Sequence, residues 1–209
     1  PSKPTMISKS LEVRVVDMVS AVDGLAGRDD ITVWCEGPMD KSPKGSDRYS
    51  MELAETLVIW TLPSSVDELT YVLKQVQPNT VVIIGEDPGT DDPQRFVKRF
   101  VGLVKYALSE RNGEVRIETL AAAMAHREVT IRLALNWLEA KGDVTWEEVW
   151  DGIQLSAGDR PDRERQRELI ARLRTSVEET SRYRAYLAED RSRLKRQVEH
   201  IVESLEYDR

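Results

Sequence analysis

Two short runs of aliphatic and β-branched residues, separated by one amphipathic segment, constrain the fold of this 209-residue chain most strongly. The runs are residues 56–60 (Thr-Leu-Val-Ile-Trp) and 80–84 (Thr-Val-Val-Ile-Ile), and nearly continuous apolar runs are typical of central strands covered on both faces. Between them, Ser65 can cap a helix that ends before Pro78. The apolar positions of this segment share one helical face: Val66, Leu69, Val72, Leu73 and Val76. Strand, helix and strand with short links predict a parallel βαβ unit.

Two further β-branched runs, residues 13–16 and 31–34, extend this pattern, so residues 1–91 are expected to form a small parallel α/β subdomain. This part holds 8 Lys and Arg against 15 Asp and Glu, a net charge of −7, which argues against a phosphate-binding surface. Residues 38–50 are expected to form an exposed loop. Cys35 is interpreted as a small core residue, and a single cysteine excludes an internal disulfide and fits a reducing cytoplasm, the expected location.

Residues 92–158 are expected to form a winged-helix subdomain. Asp92 and Pro93 begin one helix, which residues 112–113 (Asn-Gly) end. A short β run at residues 115–117 leads into a helix around 120–124, followed by a break at residues 126–127. The second helix has one apolar face and ends at residues 141–142 (Lys-Gly): Ile131, Ala134, Leu135 and Leu138. A hairpin around residues 151–152 (Asp-Gly) completes the order of a winged helix.

The outer surface of this unit is too acidic for a DNA reader, which needs cations facing phosphate. Six residues form the candidate partner surface: Glu128, Arg132, Asn136, Glu147, Glu148 and Asp151. We therefore expect a docking surface for protein and no firm binding of duplex DNA. Trp146 and Trp150 are interpreted as core residues on one face of a hairpin strand.

Residues 159–209 are expected to form a long, charged helical tail. Its apolar seam runs from Leu173 to Leu205 and is interrupted by Thr180, Arg184 and Arg191, so a regular coiled coil is not expected. The tail should pack partly on its own domain and then project, with a possible break near residue 190. Tyr183, Tyr186 and Leu187 form the expected packing patch, and residues 192–209 are expected to contribute little to stability.

No catalytic or metal-binding motif is recognisable in the sequence. The two histidines, His126 and His200, have no neighbouring aspartate, and His126 is expected to be capping or solvated. Residues 85–92 follow a strand where α/β folds often bind ligands, but their four acids favour a plain loop, with Asp91 and Asp92 as turn and cap residues. No apolar stretch is long enough to span a membrane. We expect no catalytic residue, cofactor or metal in this chain.

Several segments resemble, in order, the C-terminal region of bacterial RecJ single-strand-specific exonucleases. They are Val-Trp-Cys-Glu-Gly (33–37), Asp-Arg-Tyr (47–49), Leu-Val-Ile-Trp-Thr-Leu-Pro (57–63), Phe-Val-Gly-Leu-Val-Lys-Tyr-Ala-Leu (100–108) and Glu-Glu-Thr-Ser-Arg-Tyr-Arg-Ala-Tyr-Leu (178–187). The likeness covers about residues 12–188. It implies an accessory part of a 5′→3′ exonuclease of recombination and repair, whose Mn²⁺ or Mg²⁺ belongs to a DHH-type core absent from this sequence. A start without methionine fits a piece of a larger protein.

Three functions remain open from the sequence. The first is a non-catalytic docking module that binds its own catalytic core or a repair protein. The second is a free-standing winged-helix DNA-binding regulator that dimerises through the tail. The third is an enzyme that uses the α/β half with an unrecognised ligand.

Overall fold

The structure is a computed structural model and describes residues 11–16, 30–38 and 44–207. The described residues form seven strands and six α-helices in a mixed α/β architecture. In chain order the elements are β1 (Glu12–Val15), β2 (Ile31–Trp34), β3 (Thr56–Thr61), α1 (Val66–Val76), β4 (Thr80–Glu86), α2 (Pro93–Glu110), β5 (Glu114–Val115), α3 (Ile117–Met124), α4 (Glu128–Lys141), β6 (Val144–Val149), β7 (Gly152–Ala157), α5 (Arg163–Glu189) and α6 (Ser192–Tyr207).

The first four strands form one parallel sheet in the order β1-β4-β3-β2. β3, α1 and β4 make the expected parallel βαβ unit, with Leu57 opposite Val81 and Ile59 opposite Ile83. The helix begins where expected because the Ser65 hydroxyl accepts a hydrogen bond from the Asp67 amide, and it ends at Gln77 in a left-handed conformation.

Both faces of β3 and β4 are buried, as their apolar runs predict. Leu57, Ile59, Val81 and Ile83 belong to a core that includes residues of α1 and α6. Alternate residues face the other way and form a second cluster, which also contains the small buried residue Cys35: Val58, Trp60, Val82 and Ile84.

Residues 93–157, the helical unit, comprise α2, α3 and α4 with the three-stranded antiparallel sheet β5-β7-β6. α2 begins at Pro93 because the Asp92 carboxylate accepts from the Arg95 amide. α3 begins at Ile117, the last residue of the expected β run (115–117), and only residues 114–115 pair in the sheet. α4 ends at Gly142, whose φ of 81° and close approach to the Asp159 carbonyl leave no space for a Cβ.

The expected exposed loop at residues 38–50 is wrong in its second part. Residues 39–43 lie outside the described residues. Arg48, however, is buried in a 3-10 turn (Arg48–Ser50) that the Asp47 carboxylate caps. The Pro, Ser and Gly residues of this segment favoured an exposed loop, and they gave no sign that Arg48 is buried against Glu36.

The tail consists of two helices, α5 and α6. Asp190 is extended, with a φ of −151°, and its carboxylate accepts from the amide and hydroxyl of Ser192, so the chain turns between the helices. α6 does not project: it packs on α1 and β1, with Leu194 and Val198 fully buried and Ile201 nearly so. The expectation of a projecting distal tail is wrong, because the break turns its apolar face onto the sheet. None of the described helices has the length and apolarity to cross a bilayer.

Candidate functional site

The carboxyl edge of the parallel sheet is where α/β folds most often bind ligands. The chain after β2, β3 and β4 supplies Glu36, the Leu62 carbonyl and Asp91 to this edge. Two arginines from distant segments, Arg48 and Arg184, contact these groups. The edge is therefore filled by the chain's own side chains.

Glu36 and Arg48 form a bidentate ion pair with both side chains 3% exposed. Arg48 donates from Nε at 2.8 Å and from Nη2 at 2.5 Å, and the Glu36 carboxylate also accepts from the Trp34 indole at 2.9 Å. Burial opposes the charge of Arg48, but the Glu36 carboxylate outweighs it and raises the pKa of the guanidinium. Arg48 Nη2 also donates to the His126 carbonyl at 3.2 Å, which links the sheet to the helical unit.

Arg184, Asp91 and His126 form a second buried group. Arg184 Nη1 lies 2.5 Å from Asp91 Oδ1, and His126 Nε2 lies 3.2 Å from the same oxygen. Arg184 also donates to the carbonyls of Leu62 and Ala125, so one side chain connects the end of β3, the start of α2 and the end of α3. The expected role of His126 is wrong, because its side chain is fully buried. Asp92 is the cap, as expected, whereas Asp91 forms a buried ion pair with Arg184 and contacts the His126 ring.

The titration of this group follows from its burial. Burial lowers the pKa of His126 below its ordinary value of 6.5, against the opposing effect of the Asp91 carboxylate. Burial would raise the pKa of Asp91, but the His126 hydrogen bond and the Arg184 guanidinium outweigh it and lower that pKa below 3.8. An imidazole and a carboxylate are common acid-base partners, but here the His126 side chain is fully buried and that of Asp91 is only 11% exposed. The contacts of Arg184, Asp91 and His126 fit a structural connection between the parallel sheet and the helical unit.

The expected partner surface is assembled on α4 and the hairpin β6–β7, and two of its acidic residues lie close to arginines. Arg132 lies 2.5 Å from Glu148, and Asp151 lies 3.9 Å from Arg116. Glu128 accepts a hydrogen bond from the Tyr49 hydroxyl at 2.9 Å, Asn136 is half-buried, and Glu147 is exposed. The structure thus brings the six residues onto adjoining elements without leaving a cationic face.

The exposed surface of α4 is reduced further because α5 lies along this helix. Trp137 and Thr130 of α4 are buried, and the Thr130 hydroxyl lies 2.7 Å from that of Ser176 on α5. Arg165 and Arg127 connect the same two helices through Glu139 and Glu179. The buried positions of α4 leave a narrow strip around Glu128, Val129, Arg132 and Asn136.

The two hairpin tryptophans differ. Trp146 packs against the core of the helical unit, as expected. Trp150 is fully exposed, so its expected core position is wrong. Val149 pairs with Gly152, which makes residues 150–151 the two-residue turn and removes Trp150 from the strand face.

The three residues of the expected packing patch on the tail also differ in burial. Leu187 is fully buried in the core of the parallel sheet, and the partly buried Tyr183 donates to Gln197 at 2.7 Å. Tyr186 is half exposed, with the Arg193 guanidinium 4.2 Å from its ring centroid. The packing expected for Tyr186 is therefore wrong, since its ring covers a charged side chain at the surface.

Two cavities lie beside α5. One, of about 280 Å³, is lined mainly by residues with polar side chains. Three buried atoms of these residues have no hydrogen-bond partner within the described chain: the hydroxyl oxygens of Ser64 and Thr180 and the Nε of Arg127. Its size and these unpartnered polar atoms suit ordered water. The other is an apolar groove of about 380 Å³ between α2, α4 and α5. The described residues contain no group of three or more His, Cys, Asp and Glu that could hold a metal ion.

Comparisons with protein-family models, with curated proteins and with solved structures find no match for this chain.

The sequence did not reveal the two buried ion groups, although it contained partial signals. Arg184 stood out as a charge within an apolar seam, and Glu36 followed a buried strand directly. Their partners lie 93 and 12 residues away in the chain, at Asp91 and Arg48, and no local pattern connects such positions.

Proposed function

We propose that this chain is a non-catalytic docking part of a RecJ-type 5′→3′ single-strand-specific exonuclease of recombination and repair. Its helical unit is a winged helix that binds protein. Its partners are the catalytic core of the same enzyme or another repair protein, and the catalytic Mn²⁺ or Mg²⁺ belongs to that core.

The observation that supports this proposal is that α4 is largely covered and that its exposed strip carries no free cation to bind phosphate. In a winged helix that reads DNA, the second helix of the motif enters the major groove. Here α5 lies along that helix, and the strip left free presents Glu128 beside an Arg132 already paired with Glu148. Glu147 and Asp151 add negative charge on the adjoining hairpin. Such a surface repels phosphate and suits a protein partner.

The two alternatives have less support. A regulator that dimerises through the tail needs a free apolar seam, whereas Leu194 and Val198 are fully buried in the chain's own core. An enzyme that uses the α/β half needs an open carboxyl edge, whereas Arg48 and Arg184 occupy that edge.

A DNA-binding titration tests the nature of the helical unit. Fluorescence anisotropy with labelled duplex and single-stranded DNA, at about 0.15 M salt, is expected to give only non-specific affinity, with Kd on the order of 10⁻⁴ M. The triple variant Glu147→Lys, Glu148→Lys, Asp151→Lys should bind more tightly at low salt, because it replaces three repulsive charges. Tight binding by the parent chain that Arg132→Ala removes would contradict the proposal.

A genomic observation tests the parent enzyme. The reading frame that encodes this chain, or a neighbouring frame, is expected to encode a DHH-type phosphoesterase core. Joined to that core, the chain should leave metal-dependent cleavage of single-stranded DNA intact. A genomic neighbourhood without such a core would remove the assignment to an exonuclease while leaving the docking role open.

A further inference from the structure

The apolar groove beside α5 has an unusual rim. Phe96 of α2, with Leu173 and Val177 of α5, forms its floor, and Trp137 of α4 adds an aromatic wall. Lys98 and Arg174 line the same groove and are exposed, and neither forms an ion pair with any described residue. Unpaired cations beside an apolar pocket fit an apolar anchor flanked by negative charge.

The chain itself carries such an anchor at the tip of the hairpin (residues 149–151). Trp150 is fully exposed and Val149 is nearly half exposed, so the tip offers a large apolar surface to solvent. Glu147 and Asp151, both exposed, lie three residues before and one residue after Trp150, so carboxylates flank the tryptophan in sequence. Tryptophan is one of the residue types enriched among the few residues that dominate the energy of protein interfaces.

We propose that the hairpin tip of one copy of this chain docks into the groove of a second copy. Trp150 enters the pocket, and its flanking carboxylates face Lys98 and Arg174 of the other molecule. The groove volume of about 380 Å³ lies within the range of pockets that enclose small ligands, roughly 300 to 1,000 Å³, and so has room for an aromatic side chain. This inference uses neither DNA nor the strip on α4, and it shares only Glu147 and Asp151 with the proposed docking surface.

The contact joins two different surfaces, so it is a head-to-tail interface. A pair keeps one free groove on one copy and one free tip on the other, so association continues into short chains or a ring. One hairpin tip buries a small area, which makes the contact weak and concentration-dependent.

Sedimentation velocity of the whole chain, over about 10 to 500 µM, tests the proposal in the range expected for a small interface. The weight-average mass should rise with concentration for the parent chain. Trp150→Ala should remain monomeric, and so should Lys98→Glu combined with Arg174→Glu. The matched control Tyr106→Ala removes another exposed aromatic residue, on α2, and should associate like the parent.

Mixing the two defective proteins gives the decisive result. Trp150→Ala retains an intact groove, and the Lys98→Glu, Arg174→Glu variant retains an intact tip. The mixture should therefore form one-to-one heterodimers that cannot extend, and the indole fluorescence of the intact tip should become less accessible to a quencher. Circular dichroism of each variant establishes that it is folded.

Three outcomes would overturn the proposal: a parent chain that stays monomeric throughout the range, association that survives Trp150→Ala, or a mixture in which both variants remain monomers. Each outcome leaves the DNA-binding titration unaffected, so failure of this contact is distinguishable from failure of the docking role.

Discussion

The guanidinium of Arg184 joins three segments of the chain that are far apart in sequence. Replacing it with methionine leaves Asp91 and two carbonyl groups without their donor in a buried environment. We expect Arg184→Met to lower the free energy of unfolding by about 3 to 5 kcal/mol, the usual cost of breaking a buried ion pair. Denaturant unfolding followed by circular dichroism measures this change.

Arg182 is a matched control two residues earlier on α5. It forms an exposed pair with Glu178 at 3.3 Å, so Arg182→Met should cost less than about 1 kcal/mol. Equal effects of the two substitutions would mean that the buried contacts of Arg184 do not connect the two halves as described.

His126 predicts a pH dependence of stability. Its pKa is lowered in the folded chain, so as the pH falls below 6.5 the unfolded chain takes up the proton first. That protonation favours unfolding, whereas the lowered pKa of Asp91 matters only below 3.8. The free energy of unfolding should therefore fall between about pH 7.5 and about pH 5, and His126→Gln should reduce that fall.

The exposed His200 supplies the control for this measurement. His200→Gln should keep the pH dependence of the parent chain. If the parent and His126→Gln lose the same free energy over this interval, the buried imidazole is not the group that titrates.

At the level of elements, α6 is the largest difference between expectation and structure. Leu194 and Val198 are fully buried against the parallel sheet. We expect Leu194→Ala to cost about 2 to 5 kcal/mol, as a buried leucine usually does, and deletion of residues 192–209 to prevent cooperative unfolding of the sheet. Thermal melts measure both.

Arg196, exposed on the same helix, is the control, and Arg196→Ala should melt close to the parent. If the deletion variant melts like the parent, residues 192–209 contribute little to stability, as the sequence had suggested.

The elements that the sequence predicted best are those with a complete local signal. α1 has its cap at Ser65, its apolar face and its stop at Pro78 all within the same 14 residues, and its bounds agree with expectation. The packing of α6 has no such signal, because its direction depends on two residues at the break and on a sheet more than 100 residues earlier. The same limit applies to Trp150, since a one-residue change in the turn moved it from the strand face to solvent.

At the scale of the whole molecule, the tail packs on both the helical unit and the parallel sheet. α5 packs first on α2 and α4 and ends with Leu187 in the core of the parallel sheet, where α6 follows. The sequence-based division at residue 159 places the tail in a separate unit, although Leu187 and the apolar residues of α6 share one core with the parallel sheet. Long-range packing of this kind cannot be derived from composition or charge.

The isolated chain is expected to show no nuclease activity on single-stranded DNA with Mn²⁺ or Mg²⁺. Activation of water for phosphodiester hydrolysis requires bound metal ions, and the sequence offers no clustered aspartates and histidines to hold them. Release of labelled nucleotides from a 5′-tailed substrate measures the activity. Cleavage by a clean preparation, abolished by replacing one carboxylate of this chain, would show that an active site is present.

The return of α6 to β1 has a consequence for the order in which the protein can be made. A ribosome releases the strands of the parallel sheet long before residues 194–201, which cover one face of that sheet. Until those residues emerge, the apolar side chains of Val13 and its neighbours lack a cover, and the nascent chain exposes a surface prone to association. Completion of this sheet therefore follows synthesis of α6, and slowing translation of the codons for residues 190–201 should prolong the interval in which a chaperone can bind.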